Sequence, residues 1–237
     1  MNDHRKSIEK AISIFWGTRK DQLENQSVKD SGTRGAVTGG KQLDGFVELF
    51  KEIALDVGIP KKCIYTKNSV LPGYFRPTKE WDFLILSPQN QLIACIELKS
   101  QVGSFGNNFN NRTEEAIGSS TDLWTAFREG VYNKSAIKPW LGFFMIVEKS
   151  TKSTSPVKVS QPFYPVMKEF NRTSYLDRYG ILCERLIRER LYDNTALLWT
   201  SNGKKITFGD VKPEISINNF ISSLVGFLSG KLSFFKK

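Results

Sequence analysis

The chain of 237 residues carries a single histidine, His4, close to its start. That scarcity argues against histidine-based metal sites, serine or cysteine triads and histidine general bases. An enzyme made from this sequence must work with carboxylates, lysine and a metal ion. Cysteine is also sparse: Cys63, Cys95 and Cys183 are odd in number and far apart, and the last two fall in apolar patterns. They read as reduced core residues of a cytosolic protein, and no zinc spacing is spelled out. No apolar run reaches membrane-spanning length, and the opening MNDHRKSIEK lacks the apolar core of a secretory signal. A cytoplasmic protein without a membrane partner is therefore expected.

Acidic residues are in deficit, with 24 against 34 basic ones, a formal net charge of +10. Such an excess favours a polyanionic partner, because displaced counterions add affinity, although basic charge alone does not single one out. Hydrophobic residues make up 40% and charged residues 24%, enough for a full core in an ordinary globular protein. Neither an internal repeat nor a domain boundary is visible, so residues 1–237 are expected to form one domain. Its polar, glycine-rich segment 20–42 is read as a flexible loop or one that orders on binding.

The chain is organised around WDFLILSPQNQLIACIELKS, residues 81–100. Two strands are expected, Trp81–Leu86 and Leu92–Lys99, joined by the turn chemistry of Ser-Pro-Gln-Asn. Side chains two apart on a strand share a face, so Glu97 and Lys99 point one way and Ile96 and Leu98 the other. Pairing about the 87–91 turn brings Asp82 near the level of both. Two carboxylates and one ammonium then meet at one end of a hydrophobic sheet. On a solvated edge Glu97 and Lys99 would merely neutralise each other. Charges ending a buried strand are costly unless a metal or partner compensates them, and that favours a functional site.

The remaining pattern is of alternating helices and strands. Ile8, Ile12, Phe15 and Trp16 share a helical face over 5–17, and a second helix over Leu43–Val57 ends at Gly58. Glu48 on that helix is a candidate extra acid, with a solvated helix charge as the plainer reading. Cys63–Thr66 reads as a short strand and Leu71–Trp81 as an ordered loop or edge strand. Tyr74, Arg76 and Lys79 form a basic, aromatic patch suited to sugar-phosphate contact. Residues 101–111 read as a loop, with a helix from Thr113 through Arg128. Asn107, Asn108, Asn110, Asn111 and Arg112 suit base or phosphate contact, while Asn equally suits turns. Arg34 and Lys41 beside glycines can cradle phosphate, though a linker explains them as well. Further strands are expected at Trp140–Val147 and Ala196–Thr200, and further helices at Ser174–Tyr192 and Ile215–Leu228.

With LPGYFRPTKEWD (71–82), IELKSQVGSFGNNFNNRTEEAIG (96–118), TGGKQLDGF (38–46) and SYLDRY (174–179) in view, the chain resembles the XhoI-like type II restriction endonucleases. The resemblance implies an α/β fold with the PD-(D/E)xK nuclease core, a mixed central β-sheet flanked by α-helices. It implies Mg²⁺-dependent cleavage of palindromic double-stranded DNA containing CTCGAG, with Asp82, Glu97 and Lys99 as the catalytic motif. Asp82 and Glu97 become the metal ligands, with Glu48 as a further candidate. Tyr74, Arg76, Lys79, Gln101, Asn107, Asn108, Asn110, Asn111 and Arg112, with Arg34 and Lys41, become the DNA-contacting set. A homodimer in a bacterial or archaeal cytoplasm follows, alongside a methyltransferase in the host that need not touch this chain. Trp81 stands where such enzymes often have proline. A proline that the family usually carries between Gly103 and Ser104 is missing, which shortens that loop by one residue. A structure-specific nuclease of the same core and a non-catalytic DNA-binding module are the competing expectations.

Overall fold

The structure, a computed structural model, describes residues 4–28, 41–132, 137–161, 163–203 and 205–235. A six-stranded mixed sheet forms the middle of an α/β fold. In chain order its strands are β1 (Ile64–Tyr65), β4 (Phe83–Leu86), β5 (Leu92–Gln101), β6 (Trp140–Glu148), β7 (Asn194–Asn202) and β8 (Ile206–Asp210). They also lie side by side in that order. β2 (Val70–Pro72) and β3 (Thr78–Glu80) make a separate two-stranded hairpin. β5, β6 and β7 run parallel, while β4 and β8 join the two flanks antiparallel. Eight consecutive buried residues in β6 reflect helices on both sheet faces.

One layer holds α1 (Arg5–Val28), α2 (Asp44–Val57) and α6 (Ile217–Ser229); the other holds α3 (Phe105–Arg128) and α5 (Tyr175–Arg188). A single turn, α4 (Thr151–Thr154), precedes α5. Strand alternation divides the core between them. Ile96, Leu98, Phe144 and Ile146 face the first layer, and Cys95, Phe143, Met145 and Val147 the second. The helix ends follow their sequence signals. Gly58 caps α2 in the left-handed conformation at φ 104°, and Ser174 with Asp177 forms a capping box on α5.

Several boundaries differ from the expectations, each for a packing reason. α1 does not stop near residue 17 but runs on to Val28, so residues 20–28 of the expected loop are helical. That stretch is rich in helix formers, and Lys20 pairs with Glu24 at 3.7 Å. β5 continues to Gln101, and α3 begins at Phe105 instead of Thr113, so the asparagine-rich string is helix and not loop. Phe105 and Phe109, one turn apart, pack against Tyr175 and Tyr179 of α5, the first stacked and the second edge-on, and this burial overrides the weak helix propensity of asparagine. Gly103 and Ser104, at φ 60° and 44°, supply the sharp strand-to-helix turn. β8 was not expected at all. Arg34 lies outside the described residues. No helix among the described residues is long and apolar enough to cross a membrane.

Candidate active site

β5 outruns its antiparallel neighbour, and the site forms where that neighbour begins. Phe83 pairs with Ile96, so Asp82, the residue before β4, stands across from Glu97. Alternation puts it on the face of Leu84, which is also the face of Cys95 and therefore of Glu97. Its Oδ2 accepts the Leu98 N–H at 2.7 Å. Lys99, two residues beyond Glu97 and on the same face, brings its ammonium to 2.6 Å from Glu97 Oε1. A second ammonium, that of Lys79 on β3, lies 2.8 Å from Oε2.

The Glu97 side chain is only 2% exposed, and these two lysines are the charge partners that offset its burial. Lys79 meets ion-pair distance without hydrogen-bond alignment, which leaves Oε2 a buried oxygen with unused acceptor capacity. Burial, seconded by the neighbouring Glu97 carboxylate, pushes Asp82 up to about 6. Burial works against the Lys99 charge, but Glu97, Glu115 and Asp82 outweigh it and hold its pKa above the ordinary value.

A cleft of about 500 Å³ opens beside these groups, lined by Asp82, Lys99, Gln42, Asn108, Arg112 and Arg19 among others. Asp82, Glu97 and Lys99 are thus brought together. Of the anticipated DNA-contacting residues, Gln101, Asn108 and Arg112 line the cleft, and Asn107, Asn110 and Asn111 are exposed on the first turns of α3. Lys41 is exposed in the turn before α2. Gln101 is buried and donates to the Gly103 carbonyl at 2.6 Å, so it shapes the turn. Lys79 turns inward to Glu97. Glu48 is not brought to the cleft: it pairs with Lys51 at 2.9 Å and lines a groove between α1 and α2.

The tip of the β2–β3 hairpin is pinned by Asp122 of α3, a buried acid not among the expected site residues. Its Oδ1 accepts the N–H groups of Tyr74 and Phe75 at 2.8 and 2.7 Å, and its Oδ2 holds Arg76 Nε at 2.8 Å. Burial would raise the Asp122 pKa, but Arg76 and the two N–H donors hold it below the usual carboxylate value. Gly73 is required here, since a Cβ would come within 2.3 Å of the carboxylate. Tyr74 and Phe75 are left 53% and 70% exposed on a loop that is already ordered. Asp122→Ala strands three donors and is expected to cost about 2–3 kcal/mol in urea denaturation. An unchanged midpoint would contradict that role for the clamp. A carboxylate among the small and apolar inward positions of α3, Ala116, Ser119, Leu123 and Ala126, is the available signal. Arg19 and Gln42 are not among the expected site residues, because α1 runs beyond residue 17 and a turn at Lys41–Leu43 takes the end of the expected loop.

A family model described as restriction endonuclease XhoI matches residues 22–212. The type II restriction enzyme BstVI of Geobacillus stearothermophilus is 44% identical over 207 residues, covering 84% of this chain and 92% of that one. The type II restriction enzyme XhoI of Xanthomonas vasicola is 45% identical over 181 residues, covering 74% and 72%. AbrI of Azospirillum brasilense, also a type II restriction enzyme, is 40% identical over 167 residues, covering 68% and 74%. No solved structure matches the chain. On the strength of the family match and these relatives, the chain belongs to the XhoI restriction endonuclease family and is a type II site-specific deoxyribonuclease.

Proposed function

We propose that this enzyme hydrolyses both strands of a palindromic duplex at CTCGAG or a close variant, in a Mg²⁺-dependent reaction leaving 5′-phosphate and 3′-hydroxyl ends. The observation that carries the reading is the meeting of Asp82, Glu97 and Lys99 beside an open cleft at the strand ends. The mixed sheet with its β4–β5 hairpin supports a PD-(D/E)xK core in which Trp81 takes the proline position.

The donor chemistry suits a hard divalent ion. Both candidate ligands are carboxylates, and Glu97 Oε2 is a buried oxygen with no aligned hydrogen bond among the described residues. Among the described residues no group of three or more His, Cys, Asp or Glu stands together, so Asp82 and Glu97 would hold the ion with water and phosphate completing its shell. When bound, the ion would neutralise phosphate charge and acidify a water. The chain's own residues do the rest. Lys99 orients the attacking water and offsets charge that builds on the phosphoryl oxygens. Water adds to phosphorus, the P–O3′ bond breaks, and the 3′ oxygen leaves as a hydroxyl. Asn107, Asn110 and Asn111 face outward for base edges, and Tyr74, Arg76 and the cleft-lining Arg112 serve the sugar-phosphate backbone.

A palindromic site cut on both strands calls for a C2 homodimer with one site per strand, acting in the cytoplasm beside a host methyltransferase that protects the same sequence. Digesting unmethylated phage DNA with Mg²⁺ and sequencing the ends is expected to give discrete fragments sharing one terminal sequence, and none in EDTA. A smear, cleavage confined to junctions, or binding without cutting would overturn the reading.

A further inference from the structure

We propose that Arg19 and Arg112 form a two-sided guanidinium clamp on a backbone phosphate of the DNA strand entering the Asp82–Lys99 cleft. Arg19 belongs to α1 and Arg112 to α3, helices packed on opposite faces of the sheet. Both nevertheless line the same cleft, together with Asp82 and Lys99, because β5 projects past the start of β4 there.

Each guanidinium is fastened through one nitrogen only among the described contacts. Arg19 Nη1 makes a long 3.4 Å bond to Gln22, and Arg112 Nη1 pairs with Glu115 at 2.5 Å. In both, the Nε group is buried and has no hydrogen-bond partner among the described residues. A buried donor without an acceptor is costly, so two of them in one cleft point to an acceptor that arrives from outside. The cleft tells what that acceptor is. Its lining includes three cations, Arg19, Lys99 and Arg112, against the one carboxylate of Asp82, which favours an anion. The planar guanidinium fork matches two oxygens of a tetrahedral phosphate, a fit that an ammonium does not offer.

The clamp rests on the restriction-enzyme reading for the identity of the phosphate, and it adds Arg19 as a positioning residue for the strand. The test is fluorescence-anisotropy binding of a duplex carrying the cleavage site, in EDTA, between about 50 and 200 mM salt, where each phosphate contact contributes a slope of about 0.9. Arg19→Met and Arg112→Met are each expected to weaken binding about tenfold and lower the slope by about one. The double variant is expected to lower it by about one and no further, because both side chains hold the same phosphate, with melting temperatures held at the wild-type value. Wild-type slopes, or slopes that fall only as the melting temperature falls, would overturn the clamp. Should a methionine variant fail to fold, Arg19→Lys decides. Weaker binding at an unchanged slope supports the fork, and wild-type affinity removes it. A wild-type protein without salt-dependent duplex binding would sink the underlying reading as well, and is distinguishable on that ground.

Discussion

Asp82→Asn and Lys99→Ala are both expected to bind duplex DNA and to cut it more than about 10³-fold more slowly, and only the first is expected to gain stability. Asn keeps the oxygen that accepts the Leu98 N–H, so the local backbone is preserved while the charge is lost. The gain follows from the direction of the pKa shift. Burial and Glu97 raise Asp82 from 3.8 to about 6, so the fold favours the protonated acid. Its contribution is fully present below the unfolded value and is lost as pH rises through about 6. Near neutral pH the ionised Asp82 therefore destabilises the fold, by about 2–3 kcal/mol at the usual 1.36 kcal/mol per unit. Urea denaturation in EDTA is the check. Asp82→Asn and wild type are expected to coincide near pH 4 and to separate by that amount near pH 8. Lys99→Ala has the opposite sign, because it strips Glu97 of its 2.6 Å partner. Equal stability of Asp82→Asn and wild type at the higher pH would mean that the carboxylate is not under strain. Rapid cleavage by either variant would remove that residue from the reaction.

Much of this site could be read from residues 81–100. Period-two alternation fixes which side chains share a face, and the Ser-Pro-Gln-Asn turn fixes the register, so the meeting of Asp82, Glu97 and Lys99 needed no tertiary information. The start of α3 did need it. Asn107, Asn108, Asn110 and Asn111 argue for a turn locally, and only the distant Tyr175 and Tyr179, by covering Phe105 and Phe109, make that stretch helical. The same holds for Asp122, whose partners Tyr74, Phe75 and Arg76 lie 46 to 48 residues away. Arg19 and Gln42 reach the cleft through the packing of α1 and the adjoining turn on the sheet, and no periodicity records where such a side chain ends. Glu48 shows the reverse error: a carboxylate near the motif in type and helix, yet placed on another groove with Lys51.

The cluster around Glu97 predicts the largest stability effect in the molecule. Glu97→Ala is expected to cost about 3–5 kcal/mol in urea denaturation, because it leaves two inward ammonium groups without the anion that justifies them. Lys79 and Lys99 are 14% and 23% exposed, and each lies within 2.8 Å of the same carboxylate. Water therefore cannot fully take over the solvation that Glu97 supplies. If that account is right, a second replacement should help instead of adding damage. Lys79→Met keeps an apolar stem against the Trp81 ring, which the ammonium approaches to 4.8 Å, and removes one of the two stranded charges. Glu97→Ala with Lys79→Met is then expected to be more stable than Glu97→Ala alone, with a coupling of about 1–3 kcal/mol between the two sites. Lys79→Met by itself should cost less than Glu97→Ala, since Lys99 still answers the carboxylate. A double variant less stable than Glu97→Ala would show that Lys79 is held by its stem and not by charge. Under the proposed reaction Glu97 serves the fold through its two lysines and the chemistry through its carboxylate, so an apolar substitution at position 97 is expected to lose both.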